Sequence, residues 1–435
     1  MFAYYLELAF RGLNRNRVLT ALMVLAVALG IGACMTTLTV LHVLSGDPLP
    51  GRSGSLYYPQ LDPRDMDAYT PGVEPPGQLS WIDGMYLLRA KRAKRQALMT
   101  GGMVPLQPEQ ASIDPYHSEA RYTTADFFPM FGVPLQYGTA WGDAEDQSKA
   151  RVVVISAELN NKLFGGKNSV GKTLRLQATD FRIIGVMGDW RPNPHFYDLY
   201  MGSYADYEEV YVPLSTARDL HMDHDGSTDC WGNGNTGGQD NLEKAPCTWL
   251  QFWVELDDPS SVAAYRSFLQ HYSEDQRTAG RFERPVNIRL RNVREWLEFK
   301  QVVPSDARLQ AWLALGFLVV CLINTVGLML AKFMRRAAEL GVRRALGASR
   351  RALFGQLLME SGVIGLVGGL LGLVLALVGL WAVRQQPSDY AKLAHMDAAM
   401  LLLTFIVSVV ASTLAGVLPA WRACRVAPAL QLKAQ

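Results

Sequence analysis

KFMRRAAELGVRRALGASRRALFGQLLMESGVIGLVGGLLGLVLALVGL, residues Lys332 to Leu380, is the stretch that decides how this 435-residue chain is read. It passes from a basic segment, broken at Gly347-Ala-Ser349, into a glycine-rich apolar run. A hydrocarbon core of ~30 Å takes roughly 20 mostly apolar residues as helix. Leu309 to Leu330, Leu357 to Val383 and Ala398 to Leu418 each supply that length, so three membrane spans crowd the C-terminal third. Val18 to Leu44 makes a fourth: it is uncharged, longer than a secretory apolar region and followed by no small-residue cleavage site, so it reads as a retained span. Before it, Tyr4 to Leu13 places Tyr5, Leu8 and Ala9 on one helical face with Glu7 and Arg11 off it. That segment reads either as an interfacial helix or as the start of a long first helix.

Bulk composition hides this organisation, because 49% hydrophobic residues and a net charge of +2 would suit an ordinary soluble protein. The charges are segregated. Arg11, Arg15 and Arg17 precede the first span; Lys332, Arg335, Arg336, Arg343, Arg344, Arg350 and Arg351 lie between the second and third; Arg422, Arg425 and Lys433 follow the fourth. Between Gly46 and Arg308, 27 Lys and Arg face 35 Asp and Glu. Because cations are retained on the cytoplasmic side, both termini and the basic loop are expected inside and the large middle segment outside. The expected boundaries are a cytoplasmic or interfacial helix at 1–17, spans at 18–44, 309–333, 354–383 and 398–421, an external domain at 45–308, a cytoplasmic loop at 334–353, a short external loop at 384–397 and a cytoplasmic tail at 422–435.

Cysteine placement agrees. Cys34, Cys321 and Cys424 sit in or beside spans, whereas Cys230 and Cys247 bracket an external loop rich in Gly, Asn and Asp. An oxidising compartment would let those two pair, stabilising the loop by roughly 3 kcal/mol on the chain-entropy estimate; otherwise they are two free thiols.

The external segment alternates strand and helix signals. Gly46 to Gln78, rich in Pro, Gly and Asp, reads as loop with short extended pieces. Trp81 to Met103 carries Arg89, Lys91, Arg92, Lys94 and Arg95, which read as a solvated face or as a site for an acidic partner. Tyr122 to Leu135 predicts a short helix, Arg151 to Ser156 a buried strand, Glu158 to Phe164 a helix, and Thr173 to Gln177 with Phe181 to Val186 a strand pair. Val210 to Val212 and Leu250 to Leu256 add strands and Ser260 to Tyr272 a helix. The fold class is therefore four transmembrane helices with a large α+β domain inserted between the first two, and the interruption from about 218 to 247 suggests two subdomains.

Two motifs are lures. Gly166-Lys-Asn-Ser-Val-Gly171-Lys172-Thr173 satisfies the P-loop pattern, but a phosphate-cradling loop must follow a strand and open a helix. Here a helix precedes it and Leu174-Arg175-Leu176 follows as a strand, so it reads as a turn. His221, Asp223, His224, Asp225, Asp229 and Cys230 carry metal-ligand chemistry at a spacing that matches no standard closed site, and read first as a solvated loop, with a bound divalent ion as the alternative. No catalytic, cofactor or metal residues are assigned, and no nucleic-acid partner is expected.

The membrane half says more. Gly365 and Gly369, and Gly368 and Gly372, form small-xxx-small pairs that let helix backbones approach closely, either as fixed packing or as a moving interface. Glu360 lies near the inner end of the third span, where an ionisable group faces protein or water. Ala337 to Leu346 reads as a short amphipathic helix with Leu340 and Val342 to Leu346 partly buried and its arginines outward, suited to acidic lipid or to a cleft on a cytoplasmic partner.

On these residues the chain resembles the MacB/FtsX-type permease family of ABC transporters. ELGVRRALGASRR at Glu339 to Arg351, Glu360-Ser361 and the glycines from Gly365 to Gly372 are similar to its C-terminal permease signature. DFFPMFGVPL at Asp126 to Leu135, VVVISAELNNKLFGG at Val152 to Gly166, SVGKTLRL at Ser169 to Leu176, FRIIGVMGD at Phe181 to Asp189 and VYVPLSTA at Val210 to Ala217 are similar to its periplasmic core domain. The resemblance implies a multi-pass bacterial inner-membrane protein working as a homo- or heterodimer with two ATPase subunits. It implies a coupling helix made by Glu339, Leu340, Gly341, Val342, Arg343, Arg344, Ala345, Leu346 and Gly347. It implies ATP-driven motion of periplasmic domains, with ATP and Mg held by the ATPase. With no credible Walker motif here, the ATPase is expected on a separate chain. Export with a periplasmic adaptor and outer-membrane channel is the first expectation; a non-transporting regulator of a periplasmic enzyme or sensor is the alternative.

Overall fold

The computed structural model describes residues 16–108, 113–232, 241–386, 395–396 and 398–425; the expected Tyr4 to Leu13 helix lies outside them. In chain order the elements are α1 (Arg17–Leu44), β1 (Leu56–Gln60), β2 (Leu79–Ser80), α2 (Trp81–Ala90), β3 (Arg95–Gln107), β4 (Tyr116–Thr123), α3 (Phe127–Phe131), β5 (Leu135–Gly138), α4 (Asp143–Ser148), β6 (Val152–Ile155), α5 (Ala157–Phe164), β7 (Thr173–Leu176), β8 (Thr179–Met187), β9 (Val210–Pro213), α6 (Leu214–Asp219), β10 (His224–Asp225), β11 (Asp229–Cys230), β12 (Cys247–Glu255), α7 (Pro259–Thr278), β13 (Arg289–Asn292), α8 (Val293–Phe299), α9 (Ser305–Arg335), α10 (Ala337–Ala345), α11 (Arg350–Arg384) and α12 (Ala398–Arg425). They form two contact units, a helical one (1–45 and 303–435) and an α+β one (46–302).

In the helical unit α1, α9, α11 and α12 are each long and apolar enough to cross a membrane. Each outruns its apolar sequence run: α9 begins at Ser305 and ends at Arg335, because polar residues at both ends carry the helix into interfacial regions without breaking its hydrogen bonds. Gly347, with φ +99°, ends the turn after α10, and Ser349 Oγ accepts from Ala352 N–H at 3.2 Å to start α11.

The α+β unit holds one connected sheet in the order β13-β1-β12-β3-β4-β9-β6-β8-β5. β4–β9 and β6–β8 pair in parallel and the other partners along that path are antiparallel. β3 is the hinge of this order. Its first residues pair with β12 and its later ones with β4 and β7, so the strands from the two ends of the segment meet those from its middle on one shared strand. The expected two subdomains are thus two halves of a sheet that share β3. Period-2 alternation splits the core between the sheet faces: Leu98, Leu106, Phe252 and Val254 join one cluster, Ala97, Met99 and Trp253 the other. Leu56 to Gln60 is one of the short extended pieces expected within 46–78, a strand held by pairing to β13 and β12.

Candidate functional site

The segment singled out from sequence comprises α10 and the N-terminal end of α11. α10 follows α9 with only Arg336 between them. Leu340, 7% exposed, packs into an apolar cluster with Met329, Phe333, Leu353, Leu357, Ala420 and Ala423. One helical turn on, Arg343 Nη2 pairs with Glu339 Oε1 at 3.0 Å and its Nη1 donates to Gln356 Oε1 of α11 at 3.3 Å. Arg344 Nη1 donates to the Cys424 carbonyl of α12 at 3.4 Å.

This corrects the expected orientation. Leu340, Arg343 and Arg344 stand at i, i+3 and i+4 and so share the face that meets the bundle. Val342 and Leu346, an i, i+4 pair on another face, are 53% and 83% exposed, and Ala345 is exposed beside them. Leu340 is buried as expected, whereas Val342 and Leu346, expected to be partly buried, are presented, and the arginines expected outward are tied inward by hydrogen bonds.

Behind α10 lies a charge cluster. Glu360 is 1% exposed and Lys332 0% exposed. Lys332 Nζ contacts Glu360 Oε1 and also donates to Thr20 Oγ1 of α1 at 3.3 Å. Arg336 Nη1 pairs with Glu360 Oε2 at 3.0 Å. One carboxylate therefore holds a cation of α9, Lys332, and the cation that joins α9 to α10, Arg336, and the first of these reaches α1. The sequence reading placed Lys332 and Arg336 among the loop cations; their i, i+4 spacing on one helix face, with Glu360 the only carboxylate inside an apolar run, was the available signal.

The four glycines lie on two faces of α11. A Cβ at Gly365 would collide with Ser412 Oγ of α12, and one at Gly369 with Ser408 Oγ. A Cβ at Gly368 would come within 2.8 Å of Val27 Cγ1 of α1, and one at Gly372 within 3.0 Å of Ile31. The α12 contact is polar too: Ser412 Oγ donates to the Ser361 carbonyl at 2.9 Å, and Ser408 Oγ donates to the Gly365 carbonyl.

In the α+β unit the sequence lures resolve into structure. Gly165 and Gly166 end α5 with positive φ, Gly171 turns the chain again, and β7 follows, so Gly166 to Thr173 is a turn. Cys230 is disulfide-bonded to Cys247 across the β11–β12 pair, and His224 Nε2 lies 2.9 Å from Thr228 Oγ1. Among the described residues no three His, Cys, Asp or Glu side chains converge as a metal site. The basic cluster is largely paired within the chain: Lys91 with Asp143 at 3.0 Å, Lys94 with Glu255 at 3.2 Å and Asp257 at 2.9 Å, and Arg95 with Glu255 at 2.7 Å.

Sequence reasoning missed a buried network in this unit. Arg121, 0% exposed, pairs with Asp198 at 2.6 Å and with Glu208. Glu208 also accepts from Tyr197 Oη at 2.7 Å and Tyr211 Oη at 3.3 Å. Burial would raise the Glu208 carboxyl, but Arg121 and His195 beside it hold it well below the usual carboxylate range. Nothing local in sequence marks this: Arg121 sits 77 and 87 residues from its partners. A cleft of about 880 Å³ opens elsewhere in the unit, lined among others by Trp81, Met85, Leu88, Arg89, Asp146 and Leu214. There burial, with Asp143 and Asp126 nearby, pushes the Asp146 carboxyl up to about 7, against the lowering effect of the Ala125 N–H and Trp141.

Comparison with known proteins now fits the geometry. A family model described as the MacB-like periplasmic core domain matches residues 20–272, and one described as the FtsX-like permease C-terminal matches 312–428. The chain is 24% identical to the macrolide export ATP-binding/permease protein MacB of Marinobacter nauticus, over 97% of this chain and 59% of that protein. It is 23% identical to the pyoverdine export ATP-binding/permease protein PvdT of Pseudomonas aeruginosa, over 82% of this chain and 48% of that one. The chain thus spans less than two thirds of these relatives' length. Among solved structures, the periplasmic region of MacB from Actinobacillus actinomycetemcomitans aligns at 17% identity with a TM-score of 0.36, covering 59% of this chain and 96% of that one. With its two matched segments covering the inserted domain and the C-terminal helices, this chain belongs to the MacB-like permease family of ABC transporters.

Proposed function

We propose that this chain is the membrane subunit of an exporter in which α10 is the coupling helix for an ATPase on a separate chain. ATP binding and hydrolysis there move the α+β domains of two permease copies, identical or paired with a second permease, to drive efflux through a periplasmic adaptor and outer-membrane channel. In this reading the helical unit sits in the bacterial inner membrane with both termini and α10 cytoplasmic and residues 46–302 periplasmic. The segregated Lys and Arg support that orientation. ATP and Mg are held by the partner. The export role follows the relatives, which are named as macrolide and pyoverdine exporters.

The observation that carries the coupling assignment is α10 itself. One face is bonded into the bundle by Leu340, Arg343 and Arg344, and the other presents Val342 and Leu346. A helix held on its inner face and apolar on its outer one can transmit a push from a cleft that grips Val342 and Leu346. Purification in mild detergent with mass spectrometry tests the reading. Val342→Glu with Leu346→Glu is expected to release the ATPase from a folded permease. Recovery of the ATPase at wild-type yield with that variant would remove α10 from the interface, and absence of any ATPase with the wild type would overturn the proposal. Recovery of a wall hydrolase or sensor kinase instead of an adaptor would replace export by regulation.

A further inference from the structure

The cluster around Glu360 does more than neutralise charge. Arg336 is the single residue between α9 and α10, and Glu360 Oε2 holds its guanidinium at 3.0 Å. The residue at the joint of α10 with α9 is thereby tied to α11. The other oxygen of the same carboxylate contacts Lys332, whose ammonium also reaches Thr20 on α1. α1 and α9 are the two helices whose far ends continue directly into residues 46–302. One carboxylate thus joins the root of α10 to both chain connections of the α+β unit.

We infer that Glu360 is a positioning residue that transmits displacement of α10 to α1 and α9 through Arg336 and Lys332. The inference rests on the coupling role proposed for α10. Bundle packing alone would not require this arrangement, since apolar residues of similar volume replace buried ion pairs with little loss of stability. The two-oxygen clamp gives what apolar packing cannot: a directional link in which rotation of Arg336 about the α9–α10 joint pulls on a group shared with Lys332.

The test uses the full permease with its ATPase in lipid nanodiscs, with a nitroxide label in the α+β unit to read its ATP-dependent displacement. Glu360→Gln alone strands the buried Lys332 ammonium, so the informative variant is Glu360→Gln with Lys332→Met, which removes both groups of that pair and leaves Arg336, 16% exposed, free to reach solvent. The expected result is wild-type thermal stability and wild-type ATPase recovery, with the fraction of label that moves on ATP addition reduced about tenfold, a coupling loss in the usual allosteric range. Glu360→Asp with intact Lys332 is expected to restore part of the movement. A double variant whose label moves as in wild type would reduce Glu360 to charge neutralisation and overturn the inference. Failure of wild-type permease to bind the ATPase would instead defeat the coupling assignment of α10, which the label assay separates from the role of Glu360.

Discussion

Arg121 and Glu360 are both buried charges, yet their surroundings differ in kind. Arg121 is enclosed in the α+β unit by Asp198, Glu208 and the Tyr197 ring, within a core whose largest fully buried side chains include Trp249, Trp253, Trp296, Tyr58, Tyr197 and Tyr211. Around it Phe127, Phe131, Phe196 and Tyr197 meet edge to face. Such rings interlock, and sliding one layer past another would drive side chains off their rotamers. In the helical unit glycine backbone faces the partner helices, Gly365 and Gly369 against α12 and Gly368 and Gly372 against α1. A glycine stripe offers no protrusion to interlock, so its interface is close but smooth. The comparison teaches that one unit is packed to keep its shape and the other to hold helices together while specific charged groups set their angles.

Four measurements break or sharpen that contrast. The largest effect is expected from Arg121→Ala, which strands two buried carboxylates and should cost about 3–5 kcal/mol in denaturant unfolding of the α+β unit; a loss below 1 kcal/mol would mean that water reaches this network. Next, Cys230→Ser with Cys247→Ser should cost about 2–3 kcal/mol, because the bond closes a loop across 17 residues. Thiol labelling of the denatured wild type should modify those two only after reduction. Gly365→Ala places a methyl against Ser412 and should destabilise the helical unit by roughly 1–3 kcal/mol in detergent melts, whereas an unchanged melting temperature would show that α11 and α12 separate easily.

The last measurement concerns pH. Asp146 has a folded-state pKa of about 7, above its ordinary value of 3.8, so the folded state favours the protonated carboxyl. Its contribution to stability is complete below the unfolded value and is lost as pH rises through about 7. Asp146→Asn should therefore gain stability over wild type at pH 8 and nothing at pH 3. Equal gains at both pH values would place the effect in packing.

The legible parts of the molecule were those whose physics is local. Hydropathy over some twenty residues suffices to find α1, α9, α11 and α12, a β-branched run suffices for Val152 to Ile155, and the apolar and aromatic run Leu250 to Leu256 marks most of β12. The glycine pairs were visible by spacing, but that they divide between two partner helices was not, because the partner's identity is a tertiary fact. The misread direction of Arg343 and Arg344 has a definite cause: charge was taken to decide exposure, while in α10 the carbonyl of Cys424 and the amide of Gln356 satisfy guanidinium groups at the bundle's edge. α7 runs to Thr278, a turn and a half past its expected end at Tyr272, because polar residues continue a helix whose inner face is already anchored by Tyr265, Leu269 and Tyr272. Arg121 could not have been found from sequence, since its partners lie in a distant loop.

The length of α9 has a mechanical meaning. It runs unbroken for 31 residues from Ser305 to Arg335, without an internal proline, so at 1.5 Å per residue it is a stiff rod of about 46 Å. Its C-terminal end carries Lys332 and the joint to α10 at Arg336. A tilt of about 5° at that end would sweep the Ser305 end through about 4 Å, on simple lever geometry with that rise per residue. A small angular stroke at one terminus of α9 is therefore enough to become an ångström-scale excursion at the other, with no helix needing to bend.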